Sequence, residues 1–408
     1  MTPTTVAADS ARATDMRVIA LVRAAHFVSH VYIFVLPPLF LFVRADFGVS
    51  FTELGVAVAI FNILTAVLQT PAGFLVDRVS ARAVLVGALL LGPASLAAAA
   101  FATSFYVFVA LYALLGVANS IYHPADYAIL SHRISAPRMG KAYSIHIFAG
   151  YAGTAAAPAT LLLLAEQFGW RGAFGAAAAM GLAVAALVML FGAPLAGVAH
   201  EQKQADATAK TDWRLLLSAP VMLNLVFFIL IAVTGGGILN YGIVALDALW
   251  GTPLPLATTA LTVYLVLSAF AVLVGGLLAS RTDRHDLVAM WGLVLGGAAI
   301  VPIALFDLGA PLLIGLMALS GFFNGLIQPS RDMLVRAVTP PGSFGKVFGF
   351  VTTGFNIGGI VAPPVFGYFM DHHQPRVVLL VTAFCALAAI PTVMATAARS
   401  ARRTGPAH

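Results

Sequence analysis

Long apolar stretches separated by short polar turns run along nearly the whole chain. Each stretch is long enough to cross a hydrocarbon core about 30 Å thick as a helix, which takes about 20 residues. Strands of alternating polarity are absent from the sequence, so we expect every span to be helical. Breaks at charge clusters and at Gly/Pro turns predict twelve spans, near 17–43, 51–76, 83–102, 105–130, 140–165, 172–192, 219–245, 254–280, 287–306, 311–335, 346–369 and 377–397.

The composition agrees with a membrane protein. Hydrophobic residues make up 61% of the chain and charged residues 9%, whereas soluble domains carry about 25% charge. Outside the spans, the lysines and arginines fall on one side of the predicted topology, except Arg44, Arg171 and Arg376, which places both termini in the cytoplasm. The net charge of +6 follows this topology and forms no basic stripe for nucleic acid. Cys385 is the single cysteine, so a disulfide or a cysteine-based metal site is excluded within one chain.

The chain divides into two similar halves. A polar segment at 199–214 separates the spans six and six and predicts a flexible cytoplasmic linker. We therefore expect a tail (1–16), a six-helix bundle (17–192), a linker (193–218), a second bundle (219–397) and a tail (398–408). A shift of 205 positions pairs Asn119 with Asn324, Pro124 with Pro329, Gly140 with Gly345, Lys141 with Lys346, Gly153 with Gly358 and Pro158 with Pro363. The halves are parallel repeats, and proteins of this kind bind substrate near the midplane between the repeats.

Ionisable residues lie inside three spans of the first half. A charged group at the centre of a membrane helix costs about 2.5–3.5 kcal/mol even on permissive scales, so such groups face a water-filled cavity or a partner. Their spacings of three, four and seven place them on shared helix faces. They are Arg23, His26 and His30 of span one, His123 and Asp126 of span four, and His146 of span five.

The second half contributes fewer candidates. Gln328, Arg331 and Asp332 of span ten occupy positions equivalent to His123, Asp126 and Tyr127. In span seven, Asn240 and Tyr241 offer hydrogen bonds, and the three glycines before them permit bending.

The His123 region predicts a proton site with a gate. Pro124 removes a backbone hydrogen bond and kinks the helix. Histidine titrates near neutral pH, so His123 and Asp126, with Asp332, are the predicted proton-coupling residues. Asp126 and its counterpart Arg331 are expected to meet between the bundles as a gate, and a purely structural ion pair is the alternative interpretation.

The loop after span two carries a family motif. The stretch "GFLVDRVSAR" resembles the Major Facilitator Superfamily motif G-x-x-x-D-R-x-G-R-[RK] at Gly73, Asp77, Arg78 and Arg82, with Ser80 in place of the last glycine. The resemblance extends over essentially the whole chain and implies that spans one, four, seven and ten line a central cavity. It also implies that this loop latches the cytoplasmic side by ion pairs.

The corresponding loop of the second half, "GLLASRTDRH", is a weaker copy of the motif. It keeps Gly276 and Arg281 and moves the acid to Asp283. The gating residues implied by the two loops are Asp77, Arg78, Arg82, Arg281 and Asp283, to which we add Asp126 and Arg331.

Three further stretches resemble the fosmidomycin-resistance group of efflux proteins. They are "AHFVSHVYIFVLPPL", "IYHPADYAIL" and "GKAYSIHIFAGYAG". The patterns "GYAGTAAAP" and "GFNIGGIVAPP" resemble a degenerate antiporter motif, and close packing of helices through small residues explains them equally well. The resemblance implies a multi-pass, monomeric transporter of a bacterial inner membrane.

Together these features predict a proton-coupled transporter that exports a small anionic or amphiphilic compound, without a cofactor. Because Arg23 cannot lose its proton, an anion is favoured. Uptake of an organic anion and export of a divalent transition metal through the histidines are alternatives. No enzyme motif such as G-x-S-x-G or H-E-x-x-H occurs. The predicted substrate-binding residues are Arg23, His26, His30, His123, His146, Asn240, Tyr241, Gln328 and Arg331.

Overall fold

A computed structural model describes residues 3–195, 213–340 and 344–404, and these ranges contain helices and no strands. Most of the predicted linker, residues 196–212, lies outside the described residues. The helices are α1 (Pro3–Ile33), α2 (Phe40–Phe47), α3 (Phe51–Arg78), α4 (Ala81–Ala100), α5 (Phe105–Arg133), α6 (Ala136–Phe191), α7 (Trp213–Leu216), α8 (Ala219–Gly236), α9 (Gly242–Trp250), α10 (Leu254–Ala279), α11 (His285–Leu305), α12 (Ala310–Val338), α13 (Phe344–Asp371) and α14 (Pro375–Thr404).

Eleven helical stretches of the described residues are long and apolar enough to cross a membrane. One of them covers Lys141–Phe191, which is too long for a single crossing. Gly169 breaks it, because this residue has φ 69° and ψ 170°, a backbone conformation that glycine adopts without a steric penalty. The break divides α6 into two crossings, and the predicted twelve-span architecture is confirmed.

The chain forms two compact units. The first comprises residues 1–49 and 60–207, and the second comprises residues 50–59 and 208–408. The first turns of α3 therefore group with the second unit. There the Asp371 carboxylate accepts hydrogen bonds from the backbone N–H groups of Phe51 and Thr52, each at 2.8 Å. A carboxylate at a helix N-terminus satisfies backbone donors that have no partner within the helix.

Within the first unit, α1 packs against α5 and α6, and α4 packs against the same two helices. Glycines permit the closest approaches. A Cβ atom at Gly153 would overlap the carbonyl oxygen of Phe27. At Gly116 it would lie 2.6 Å from the carbonyl oxygen of Phe61. These contacts bring α1 against α6 and α3 against α5, and the first of them places the histidines of α1 beside α6.

The second unit uses related positions for the same purpose. Its main packing pairs are α10 with α12, α8 with α13, and α11 with α12 and α14. A Cβ atom at Gly358 would lie 2.9 Å from the carbonyl oxygen of Ile229 of α8. At Gly321, the counterpart of Gly116, it would overlap the carbonyl oxygen of Tyr264. The repeat detected in the sequence therefore corresponds to a repeated packing requirement between helices.

Candidate functional site

Three helices of the first unit bring five ionisable side chains together. His26 and His30 come from α1, His123 and Asp126 from α5, and His146 from α6. His26 is 3% exposed, His146 is 1% exposed and Asp126 is fully buried. We call this group the histidine–aspartate cluster. His123 lies about 15 Å along α5 from the end of that helix at Arg133, well within the membrane-crossing length.

His26 occupies the centre of the cluster. Its ring stacks on that of His146, with centroids 3.7 Å apart and planes 28° apart. The centroids of His30 and His123 lie 4.6 Å and 5.1 Å from that of His26. Its Nδ1 atom lies 3.3 Å from Oδ2 of Asp126. Every member of the cluster is therefore adjacent to His26.

Several polar atoms of the cluster have no hydrogen-bond partner among the described residues. They are Nδ1 of His26, Nε2 of His30, both oxygens of Asp126 and both nitrogens of His146. The separation of His26 Nδ1 and Asp126 Oδ2 is close enough for an ion pair, but the geometry is not that of a hydrogen bond. A buried polar atom without a partner costs about 1–3 kcal/mol. Such a concentration calls for a bound cation or water.

Two residues that the sequence analysis missed shape the cluster from α6. A Cβ atom at Gly150 would lie 2.8 Å from Nε2 of both His26 and His30, so the two rings fit only against a glycine. The Thr154 hydroxyl lies 3.0 Å from Nδ1 of His30, within hydrogen-bonding distance. The signal was available in the sequence, because His146, Gly150 and Thr154 are four residues apart and therefore share one helix face.

Tyr127 forms the edge of the cluster. Its ring centroid lies 6.1 Å from that of His123 and 5.4 Å from that of His146. Its side chain is 41% exposed, so it extends from the buried histidines to the surface of the unit. Arg23 is also exposed, although it belongs to the same helix as His26.

The predicted residues of span ten show a different chemistry. Nε of Arg331 donates to Oδ1 of Asp332 at 2.9 Å. The Arg331 guanidinium carbon lies 4.9 Å from the ring centroid of Phe228 and 5.3 Å from that of Phe355. A cation within about 6 Å of a ring centroid is stabilised by the aromatic face. Gln328 of the same helix is partly buried.

In span seven, the chain forms a π-helical turn at Gly237–Tyr241, directly after α8. Tyr241 is fully buried, and its hydroxyl oxygen lies within hydrogen-bonding distance of two carbonyl oxygens that share its one proton, those of Pro363 at 2.7 Å and Phe51 at 3.1 Å. These bonds give Tyr241 a packing role in the second unit. Asn240, its neighbour, is partly buried.

The predicted contact of Asp126 with Arg331 stays a prediction. Each of the two residues has a charged or titratable neighbour within its own unit. For Asp126 this neighbour is His26, and for Arg331 it is Asp332.

The motif loops are only partly described. The side chain of Asp77 lies outside the described residues, and Arg78 is exposed. Nη2 of Arg82 donates to the carbonyl oxygen of Met189 at 2.9 Å, which ties the loop to the end of α6.

In the second loop, Arg281 and Asp283 are both exposed. The ion pair there joins Arg284 to Asp286, with 3.1 Å between Nε and Oδ1. The gating roles of both loops remain predictions.

Comparison with known proteins identifies the family. The family model described as "Major Facilitator Superfamily" matches residues 24–251 and 231–407. This chain belongs to the Major Facilitator Superfamily. It is 23% identical to the fosmidomycin resistance protein of Escherichia coli, over 93% of both chains. It is 26% identical to the probable sulfoacetate transporter SauU of Cupriavidus necator, over 85% of this chain and 84% of that protein.

Solved structures share the fold. A mutant of the nucleoside transporter NupG superposes with a TM-score of 0.77 at 16% identity, covering 94% of this chain and 99% of that chain. A bacterial homologue of the human lysosomal transporter Spinster, in an inward-facing and occupied conformation, gives a TM-score of 0.74 at 13% identity over 95% and 97% of the two chains. These structures show the shared fold, and membership of the Major Facilitator Superfamily together with the apolar helices makes this chain a multi-pass membrane transporter and not an enzyme.

Proposed function

We propose that this protein is a proton-coupled secondary transporter of a bacterial inner membrane. It exports small anionic or amphiphilic compounds by alternating access, with both termini in the cytoplasm. The observation that carries the proposal is the histidine–aspartate cluster, buried within the membrane-crossing part of one unit with polar atoms that lack partners among the described residues.

The cluster suits a coupling ion better than a substrate. It is contributed by α1, α5 and α6 of one unit, whereas substrates of such repeat transporters bind between the repeats. A buried carboxylate without a compensating charge is strongly disfavoured in a membrane helix. Proton binding at Asp126 or at the neighbouring imidazoles removes that cost, so the protonation state determines which arrangement of the helices is stable.

Arg331 of the second unit supplies the guanidinium for an anion, which would compete with the Asp332 carboxylate that already pairs with it. Arg331 cannot lose its proton, and the rings of Phe228 and Phe355 offer apolar contact beside it. An arginine next to aromatic faces suits a compound with an acidic group and an apolar part. The sulfoacetate named for one relative is an organic anion, and the names of other relatives refer to drug resistance and multidrug efflux.

Reconstitution tests this proposal. Purified protein in liposomes with a pH-sensitive dye inside receives sulfoacetate or fosmidomycin as test compounds. Addition of a transported compound should change the internal pH in the wild type and in Asp307→Asn, an exposed aspartate that serves as a control. Asp126→Asn should abolish the change. A compound that is transported without any pH change would contradict proton coupling.

The sign of the pH change gives the direction of exchange. In antiport the protons move against the compound, and in symport they move with it. A pH change showing that protons and compound enter together would replace export with proton-coupled uptake. The role of the cluster would be the same in both cases.

A further inference from the structure

We propose that the histidine–aspartate cluster also binds a divalent transition-metal ion of the zinc class, through His26, His123, His146 and Asp126, and that the bound metal inhibits transport. The binding itself follows from geometry and ligand chemistry. The inhibition rests on the proposed function, because it requires that α1, α5 and α6 move relative to one another during transport.

The arrangement of the three histidines is close to that of a metal site. His26, His123 and His146 each offer one ring nitrogen, and these atoms all lie within 4.8 Å of one another. In tetrahedral zinc sites with Zn–N distances of 2.0–2.1 Å, neighbouring ligand atoms lie about 3.4 Å apart. Side-chain movements of about 1 Å, which small rotations about χ1 and χ2 provide, close the remaining gap.

Asp126 completes the ligand set. Its Oδ2 atom lies 3.3 Å from Nδ1 of His26, close to the edge length of a tetrahedral site. Both of its oxygens are buried and lack hydrogen-bond partners among the described residues, as do both nitrogens of His146. These unpartnered atoms are an independent indication of a ligand, because buried carboxylate and imidazole groups are otherwise hydrogen-bonded.

The donor types select the class of metal. Imidazole nitrogens suit zinc, copper, iron and nickel, whereas calcium and magnesium require sites built from oxygen ligands. A set of three imidazoles and one carboxylate therefore favours zinc and its neighbours. The ligands bind metal only when the imidazoles are neutral and the carboxylate is ionised, so protons compete directly with the metal.

The position of the site indicates inhibition and not transport of the metal. All four ligands belong to the first unit and come from α1, α5 and α6. A metal bound to them would join three helices of a single unit, whereas transported substrates bind between the repeats of such proteins. A divalent ion at this place would hold α1, α5 and α6 in one arrangement and so block the movement that transport requires.

The binding experiment uses purified full-length protein in detergent. Zinc is titrated in competition with a fluorescent chelator at pH 7.5 and at pH 6, and proton release is recorded in weak buffer. We expect one site, weaker binding at the lower pH and release of protons on binding. His146→Asn and Asp126→Asn should each weaken binding by about 100-fold. His132→Ala should leave it unchanged, because His132 is exposed near the C-terminal end of α5, about 9 Å along the helix from Asp126.

The thermal unfolding temperature of each variant, measured without zinc, shows whether that variant is folded. If His146→Asn does not fold, His123→Gln replaces it as the ligand variant. Absence of zinc binding in the wild type, or equal affinity in the wild type and in all folded ligand variants, would overturn the metal site.

The transport experiment adds zinc to liposomes that contain the protein and an internal pH-sensitive dye. Zinc should suppress the pH change, and a chelator should restore it. Entry of zinc into the liposomes, or full transport with the site saturated, would overturn inhibition. Zinc binding without any proton-coupled transport would keep the metal site and reject the proposed function. Proton-coupled transport that depends on Asp126, without zinc binding, would keep the proposed function and reject the metal site.

Discussion

The two halves of this transporter share their framework and differ in their chemistry. Gly116 and Gly321, and likewise Gly153 and Gly358, admit the same close helix contacts in the two units. Between these glycines, the polar and titratable residues of the first half are replaced by different residue types in the second half. His123 corresponds to Gln328, Asp126 to Arg331 and His146 to Val351 when the repeats are aligned.

The difference separates two tasks. The first unit holds titratable groups, buried beside each other on three helices. In the second unit, Arg331 takes the position of Asp126, and its guanidinium lies over two phenylalanine rings. Val351, at the position of His146, is fully buried. Under the proposed function, one half carries the coupling ion while the other half recognises the compound.

The largest predicted effect comes from removing the carboxylate of the first unit. Asp126→Asn should abolish compound-driven proton movement in the liposome assay, because the amide cannot exchange a proton near neutral pH. Arg331→Gln should weaken uptake or export of the compound but leave the number of protons per transported molecule unchanged. The proposed division of roles between the two halves is contradicted if both substitutions change the number of protons per transported molecule equally.

A second prediction concerns the space around the histidines. Gly150→Ala should reduce transport by at least about tenfold and lower the free energy of unfolding by about 1–3 kcal/mol, because the new methyl group displaces two imidazole rings. The transport rate and the unfolding midpoint in denaturant measure the two effects. Gly175→Ala is the matched control within α6, where a Cβ atom would meet nothing within 4 Å. Equal behaviour of the two variants would show that the cluster has room to rearrange.

A third prediction tests the cation of the second unit. Arg331→Lys keeps the charge but loses the planar guanidinium that lies over the rings of Phe228 and Phe355. We expect the KM for the transported test compound to rise by about tenfold, corresponding to about 1.4 kcal/mol, with unchanged proton stoichiometry. Arg284→Lys, at an exposed position, is the control. An unchanged KM would remove Arg331 from the binding site.

The smallest predicted effect concerns the hydroxyl that contacts His30. Thr154→Val should slow transport by about two- to tenfold, the range expected for the loss of one hydrogen bond of about 0.5–1.5 kcal/mol. It should also shift the pH at which the rate is half-maximal. Thr154→Ser should restore both properties. A serine variant that behaves like the valine variant would show that only the shape of the side chain matters.

The fold was largely predictable from the sequence because apolar length and turn composition determine membrane spans with few alternatives. The break between spans five and six was predictable only approximately. The sequence pattern placed it in the polar turn at 166–171, which contains Gly169. Helix α6 runs through this turn, and the positive φ of Gly169 breaks it.

The candidate site was predictable in its members but not in their arrangement. The cost of burying ionisable groups identified His26, His123, Asp126 and His146 one by one. Their convergence on one point depends on which helix faces meet, and helical spacing fixes faces only within a single helix. Tyr241 shows the limit of residue type as evidence, because a hydroxyl in a cavity-lining span bonds to backbone carbonyl groups within the second unit.

The central claim is that Asp126 exchanges a proton inside the cluster. Infrared difference spectra of the purified protein test it without any transported compound, recorded as the pH is stepped from about 6.5 to 9, above the range in which exposed carboxylates titrate. We expect a carbonyl band of a protonated carboxylic acid that changes with pH in the wild type and in Asp307→Asn, and that is missing from Asp126→Asn. A pH-dependent band that persists in Asp126→Asn, or a wild-type spectrum without such a band, would contradict the claim.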